Sequence, residues 1–273
     1  MSKTLNYRTS ATYAIMIEAN LIDRARNFAL LPGGKINGPD PLWYTTECTL
    51  AECNGVLQAN FSVKEIDRRI EETLTFFQTE NSPVTWYVGP STTPADLGKY
   101  LQQHGFTHDL ELLGMAVSLE KLSELRRELP DSGLQFKEVS SKKDLKKWFE
   151  VLSSSLMLPQ KEADLRFGMY QAVSMTSDTL WRHYLGLRDG KVVGISSLFF
   201  GADVPGFYNL TTKSGYRKQG VGTFITLNTF AEAQKMGYEV GTLLTSYPEA
   251  LRLYHRLGFE VYCKIGVYEY NPK

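Results

Sequence analysis

The stretch "SGYRKQGVGTFI", Ser214 to Ile225, sets two cations just ahead of two glycines and then begins a helical run. Two physical readings fit. The first is an exposed loop with solvated charges and flexible residues. The second is an anion cradle, in which glycines let backbone N–H groups come close and a helix start adds unbonded donors and a favourable dipole. The neighbours bear on the choice. "GFYNLTT", Gly206 to Thr212, reads as a strand, and "GTFITLNTFAEAQKMG", from Gly222, reads as a helix with Gly237 at its C′ position. The loop therefore joins a strand to a helix. Arg217 and Lys218 can add charge from the flank, and Thr223 a hydroxyl. Two other glycine loops do not fit: "GVGTFI" lacks the third glycine of a Rossmann turn, and no Walker pattern is present.

Working outward, the second half opens with a strand, "LQFKEVS", and two helices, "SKKDLKKWFEVLSSSL" and "EADLRFGMYQAVSM". A hairpin follows, "LWRHYLGLRDGKVVGISSLFF", turned at Asp189-Gly190. After the loop and its helix come a strand "YEVGTLLTS", a short helix "PEALRLYHRLG" with Pro248 at its start, and "FEVYCKIGVYEY", read as a final strand pair. In the first half, Ala11 to Leu31 reads as a helix ended by the turn-rich "LPGGKINGPDP". "LWYTTE" and "NGVLQANF" read as strands. "SVKEIDRRIEETLTFFQTE" reads as a helix capped by Ser62, with Val63, Ile66, Ile70, Leu74 and Phe77 at helical spacing. "PVTWYVG", "TPADLGKYLQQHGF" and "LELLGMAVSL" give strand, short helix and strand, and "EKLSELRRELPDSG" a charged linker helix stopped by Pro130 and Gly133.

The halves share this order, down to "LGKYLQQHGF" beside "LRLYHRLGF", a coarse internal repeat. The expectation is an α/β (α+β) chain of two similar lobes, residues 1–120 and 134–273, joined by a linker over 121–133. Where the second lobe has its basic glycine loop, the first has "NFSVKEIDRR".

Lys plus Arg and Asp plus Glu both number 30 in 273 residues, a zero net charge that argues against nucleic acid and against general attraction to anionic membranes. Cys48, Cys53 and Cys263 are sparse and unpaired in pattern, which suits reduced, buried thiols and no metal site. "MSKTLNYRTSATYAIMIEANLIDRARNF" lacks the basic start and apolar core of a secretory signal, and no apolar run approaches a membrane span. A soluble, cytoplasmic protein is expected.

"YRKQGVG", then a helix, a strand and "EALRLYHRLGF", resembles the GNAT superfamily of acyl-CoA-dependent N-acyltransferases. The resemblance covers residues from Leu134 to the end; the first half resembles a degenerate copy. It implies that each lobe is a mixed, mostly antiparallel sheet flanked by helices. Arg217, Gly220 and Gly222 fill the family's [RQ]-x-x-G-x-[GA] motif for the pyrophosphate of coenzyme A. By the same resemblance, backbone groups of Leu210, Thr211 and Thr212 would lie along the pantetheine arm. The amides of Arg217, Lys218, Gln219, Gly220, Val221 and Gly222, with Thr223, would hold the pyrophosphate. Tyr254 falls where the family often has its general acid. One departure is Tyr247, where many members have Asn before the short helix. The implied activity is transfer of acetyl from acetyl-CoA to a primary amine of a small molecule or peptide, with no metal and no nucleic-acid or membrane partner.

The chemistry suits these residue types. A phenol with pKa near ~10 is protonated at neutral pH and can donate to a departing thiolate. The attacking amine, with pKa near ~10.4, is neutral in only about one molecule in ~10³, so a proton must be removed. Glu162, Asp203, Glu239, His183 or a water chain could do so. Plain readings stand beside these. Leu251, Tyr254 and Leu257 share a helix face, so Tyr254 could be core; Arg217 and Lys218 could be solvated charges; Trp148 and Phe149 could pack inside or border the acceptor cleft. His255 reads as a surface residue, and His104 and His108 as structural. The alternative function is a module that retains coenzyme A without turnover, or an interaction scaffold. The first lobe, with acidic residues and no glycine at the loop position, is expected to bind no coenzyme A.

Overall fold

The computed structural model describes residues 9–31, 33–46, 48 and 51–272. The opening eight residues, over which part of the signal-peptide reading ran, lie outside this range. In the first half, α1 (Ser10–Ala29) leads to β1 (Lys35–Asn37), β2 (Leu42–Thr45), β3 (Gly55–Leu57), α2 (Ile66–Thr79), β4 (Val84–Val88), α3 (Leu97–Gln103) and β5 (Thr107–Ser118). Helix α4 (Leu119–Arg127) crosses to β6 (Leu134–Glu138), α5 (Lys142–Ser155), α6 (Gln160–Ser174), β7 (Trp181–Arg188), β8 (Lys191–Gly201), β9 (Val204–Thr212), α7 (Val221–Lys235), β10 (Val240–Thr245), α8 (Pro248–Arg256) and β11 (Glu260–Tyr270).

All the strands form one mixed sheet in the order β1-β2-β3-β4-β11-β5-β10-β9-β8-β7-β6. The chain is thus α/β, and its halves share a sheet by exchanging their last strands. β11 lies between β4 and β5, while β5 lies between β11 and β10. "FEVYCKIGVYEY" is therefore one 11-residue strand, where a pair was expected. Gly266 sits mid-strand opposite Val88 and Glu111. Register shifts at Val261/Cys263 and Val267/Tyr268 let so long a strand bend between two neighbours.

Two pairings are parallel, β3 with β4 and β9 with β10, one in each half at matching places. Helices α1, α5 and α6 cover one face: Tyr208 reaches Asn20 of α1, and the Trp148 indole of α5 donates to Ser196 O at 3.0 Å. Helices α7 and α8 cover the other, where Phe207 meets Phe230 and Tyr254, and α2 and α3 pack beside Val56, Trp86 and Phe106. The "linker" helix α4 is a packed element: Leu119 and Leu122 are buried, and Arg126 Nε donates to Asn228 Oδ1 of α7 at 2.9 Å.

Local chemistry explains most boundaries. Thr9 caps α1 by accepting from Thr12 N–H, and Ser141 caps α5 by accepting from Asp144 N–H. Asp189 and Gly190 both take positive φ, the two-residue turn that matches strand twist. Helix α2 starts later than expected. Ser62 Oγ donates to Glu65 Oε2 at 2.6 Å in a turn that precedes it, leaving Val63 exposed. β1 lies within the expected loop "LPGGKINGPDP", its three residues all exposed at the sheet edge.

Candidate active site

The site begins where β9 and β10 part. They pair only at Gly206–Thr242 and Phe207–Leu243. Beyond Phe207, Asn209 enters the left-handed region (φ 58) and the β8–β9 register shifts, a bulge that turns β9 away. Asn209 Nδ2 donates to Tyr170 OH and Ser197 Oγ, each at 3.3 Å. Lys213 N–H then donates to Val193 O at 2.9 Å. By strand alternation the N–H and C=O of Thr212, and of Leu210 before it, face the gap. There Thr212 O accepts from Arg217 Nε at 3.3 Å. Leu210, Thr211 and Thr212 are all partly buried.

The loop completes the gap. A short turn over Ser214–Tyr216 precedes Lys218 (φ 59) and Gly220 (φ 81), and α7 starts at Val221. Its first closing bond is Phe224 N–H to Gly220 O at 2.9 Å, so the amides of Val221, Gly222 and Thr223 have no acceptor among the described residues. Left-handed residues on either side of Gln219 curl further amides toward the same point, a nest for an anion. A Cβ at Gly220 would meet nothing within 4 Å, so what demands glycine there is the backbone angle. A Cβ at Gly222 would lie 3.3 Å from Leu253 Cδ2 and 3.8 Å from Thr212 Oγ1, which shows how closely α7, α8 and β9 converge. Gln219 braces the loop: its Nε2 donates to Gly215 O at 3.0 Å, and its Oε1 accepts from Arg188 at 2.7 Å. Arg217 and Lys218 are exposed on the rim.

Tyr254, on α8, is 5 % exposed and packs against Phe207 and Phe259 with ring centroids 6.3 and 5.4 Å away. Phe207 is the last residue of β9 paired to β10, so the ring stands at the vertex of the gap. Its phenol has no hydrogen-bond partner among the described residues, and burial pushes its pKa up. It therefore stays protonated. Leu257 is buried and Leu251 partly buried in the same cluster, so the packing role exists as well.

The candidates for proton removal separate. Asp203 and Glu239 sit at the ends of β9 and β10 away from the loop, each about 13 Å along its strand from the vertex at the usual rise. His183 is 2 % exposed, with Nε2 2.7 Å from Ser174 Oγ and Nδ1 2.7 Å from Ser197 Oγ. Burial lowers its pKa to about 3, so it is a neutral, locked ring that supports Ser197 and through it Asn209. Glu162 is partly buried on α6, among groups that act on Cys53. Trp148 and Phe149 are core residues at 0 % and 5 % exposure.

Arg24 on α1 was not singled out from the sequence. Its Cζ lies 5.1 Å from the Tyr208 ring centroid and 5.6 Å from that of Phe28. The signal was present: Ile17, Asn20, Leu21, Arg24, Ala25 and Phe28 form one helical stripe, and two of its members are polar.

The profile of the acetyltransferase (GNAT) domain matches residues 180–261, from β7 into β11. No curated protein matches the chain by sequence. Among solved structures, a GCN5-related N-acetyltransferase from Kribbella flavida is similar over 93% of this chain and 96% of its own, at 19% identity and a TM-score of 0.72. A tandem GNAT protein from the clavulanic acid biosynthesis pathway is similar over 99% and 96%, at 12% identity and a TM-score of 0.63. A GCN5-related N-acetyltransferase from Sphaerobacter thermophilus covers 96% and 93%, at 15% identity and a TM-score of 0.62. Among the described residues no helix is long and apolar enough to cross a membrane. Residues 180–261 match the acetyltransferase (GNAT) domain, and the chain as a whole has the fold of the tandem GNAT protein.

Proposed function

We propose that the chain is an acyl-CoA-dependent N-acyltransferase that moves acetyl from acetyl-CoA to a primary amine of a small molecule or peptide. One observation carries this reading. The gap between β9 and β10 opens onto the unbonded first-turn amides of α7, next to a left-handed Gly220. The residues fit the donor. Amides from Lys218 to Thr223, with Arg217 and Lys218 at the rim, suit a pyrophosphate. Outward-facing backbone groups of Leu210 and Thr212 suit the amides of a pantetheine arm lying as an extra strand.

Bound acetyl-CoA would supply an activated thioester. Tyr254, held protonated by its apolar surroundings, keeps the proton that the departing sulfur takes up. His183 stays neutral and holds the bulge, while the proton of the amine leaves through water. The same proposal places the degenerate lobe at residues 1–120, the connector at 121–133 and the acyl-transfer lobe at 134–273. The test is release of thiol from acetyl-CoA across a panel of amines, with the product identified by mass. Acetylated amine supports the reading. Binding of acetyl-CoA with no turnover on any amine would replace it with a non-catalytic coenzyme A module.

A further inference from the structure

Arg24 belongs to the opposite face of the sheet from Tyr254, at the same vertex. Tyr208, which its guanidinium overlies, follows Phe207 directly and precedes the bulge residue Asn209. The Tyr208 hydroxyl is fixed by donating to Asn20 Oδ1 at 2.8 Å, and Asn20 in turn donates to Phe199, Gly201 and Val204 carbonyls. Tyr170 of α6 joins the group through Asn209. Tyr44 of β2 and Tyr87 of β4 approach from the first half of the chain. Four phenols and a phenyl ring thus gather around the Arg24 guanidinium, with the Arg166 guanidinium acting on Tyr170 beside them, where a group emerging through the gap would meet its acceptor.

Among the described residues no carboxylate pairs with the Arg24 charge. Arg24 forms no ion pair among the described residues, and its Nε is shielded from solvent without a hydrogen-bond acceptor. The nearest acidic neighbour on its helix, Asp23, is taken by Arg26 at 3.0 Å and by Ala202 N–H at 2.8 Å. The tyrosines do not neutralise it. Burial raises the pKa of each, that of Tyr208 to about 12, so they remain phenols. A sequestered cation without a counter-ion is costly unless something brings one. Arg24, Tyr170 and Tyr208 are partly exposed, so the cluster reaches the surface.

We infer that Arg24 is the anchor for a carboxylate on the acceptor, and that the acceptor is a small amine bearing a carboxylate, of amino-acid type. This rests on the transferase reading above. The guanidinium fork matches a carboxylate in two parallel bonds. The aromatic surround excludes water and accepts an apolar side chain, while the amine of the same molecule is left facing the thioester side. An amine without the carboxylate would leave the guanidinium with Tyr87 and no anion.

The test compares the standard amino acids with their decarboxylated amines, by calorimetric binding and by acetyl-CoA turnover. The carboxylate-bearing member of a pair should be favoured by roughly 10- to 100-fold in kcat/KM, the worth of a charged hydrogen-bonded contact. Arg24→Met should raise KM for that acceptor by a similar factor, leave acetyl-CoA binding and kcat intact, and hold or raise the melting temperature. Arg24→Lys should recover part of the affinity. Equal use of decarboxylated amines, or an Arg24→Met variant that melts lower with KM unchanged, would make Arg24 structural and overturn the inference. If acetyl-CoA binds and no amino acid does, the anchor falls while the transferase reading stands. If acetyl-CoA itself fails to bind, the transferase reading falls, and the binding arm alone judges Arg24.

Discussion

The two halves each build a parallel strand pair that parts after two residues, and they finish it differently. In the first half, β3 and β4 pair at Gly55–Thr85 and Val56–Trp86, and Gln58 (φ 54) takes the turn that Asn209 (φ 58) takes in the second. There the likeness stops. Thr93 N–H donates to Ala59 O at 2.9 Å, Phe61 N–H donates to Thr93 O at 2.8 Å, and Asp40 accepts from Asn60 N–H at 2.8 Å. The backbone that would face a pantetheine arm is already bonded. The following helix opens on Glu65 where the second lobe has Gly220, and Arg69 closes over Phe61 with its Cζ 4.6 Å from the ring centroid. One topology therefore yields a sealed joint in one lobe and an open gap in the other. The difference is carried by a handful of backbone hydrogen bonds and by one left-handed glycine.

Breaking the open side should have the largest effect. Gly220→Glu puts an acidic side chain at the start of α7 and should abolish measurable acetyl-CoA binding by calorimetry. Gly220→Ala separates backbone from charge: a left-handed alanine costs about 1 kcal/mol, so affinity should fall only a few-fold. Equal losses in the two variants would mean that the loop acts through its shape alone. Next in size is Tyr254→Phe, which keeps the ring packing and removes the proton. Turnover should fall by roughly 10²-fold with acetyl-CoA affinity unchanged. Unchanged turnover would return Tyr254 to the core.

A smaller effect concerns the support behind the bulge. His183 has a folded pKa of about 3 against an ordinary 6.5, because burial opposes its charge. The unfolded chain alone binds this proton between those values. Its contribution is thus complete above pH 6.5 and is lost as pH falls toward 3. Stability should decline through that window by up to ~1.4 kcal/mol per pH unit from this group. His183→Gln should flatten the slope measured by denaturant unfolding; an unchanged slope would mean that the ring accepts its proton in place. The smallest expected effect is on the sealed side. Asp40→Ala removes the acceptor for Asn60 N–H and the carboxylate 3.5 Å from Arg69, costing about 1 kcal/mol of stability. Acetyl-CoA affinity and turnover should not move, and a change in either would place the first lobe within the active site.

The contrast between the lobes was legible at the loop because the controlling chemistry is local. Gly220 after a strand, Asp189-Gly190 in a hairpin, and Gly237 after a helix each impose their geometry within a few residues. The Gly-Phe helix ends were equally readable: Gly105 and Gly258 both take positive φ past α3 and α8. What escaped was non-local. Nothing within "FEVYCKIGVYEY" says that it passes between a strand ending at Val88 and one starting at Thr107. The seal at Ala59–Phe61 depends on Thr93, more than thirty residues away. Arg24 looked like one more charge on a helix until the fold brought tyrosines from four other elements around it.

Titration of the intact chain with acetyl-CoA in a calorimeter counts the cradles. One site per chain is expected, lost in Gly220→Glu and kept in Asp40→Ala. Two sites, or a single site that survives Gly220→Glu, would contradict it.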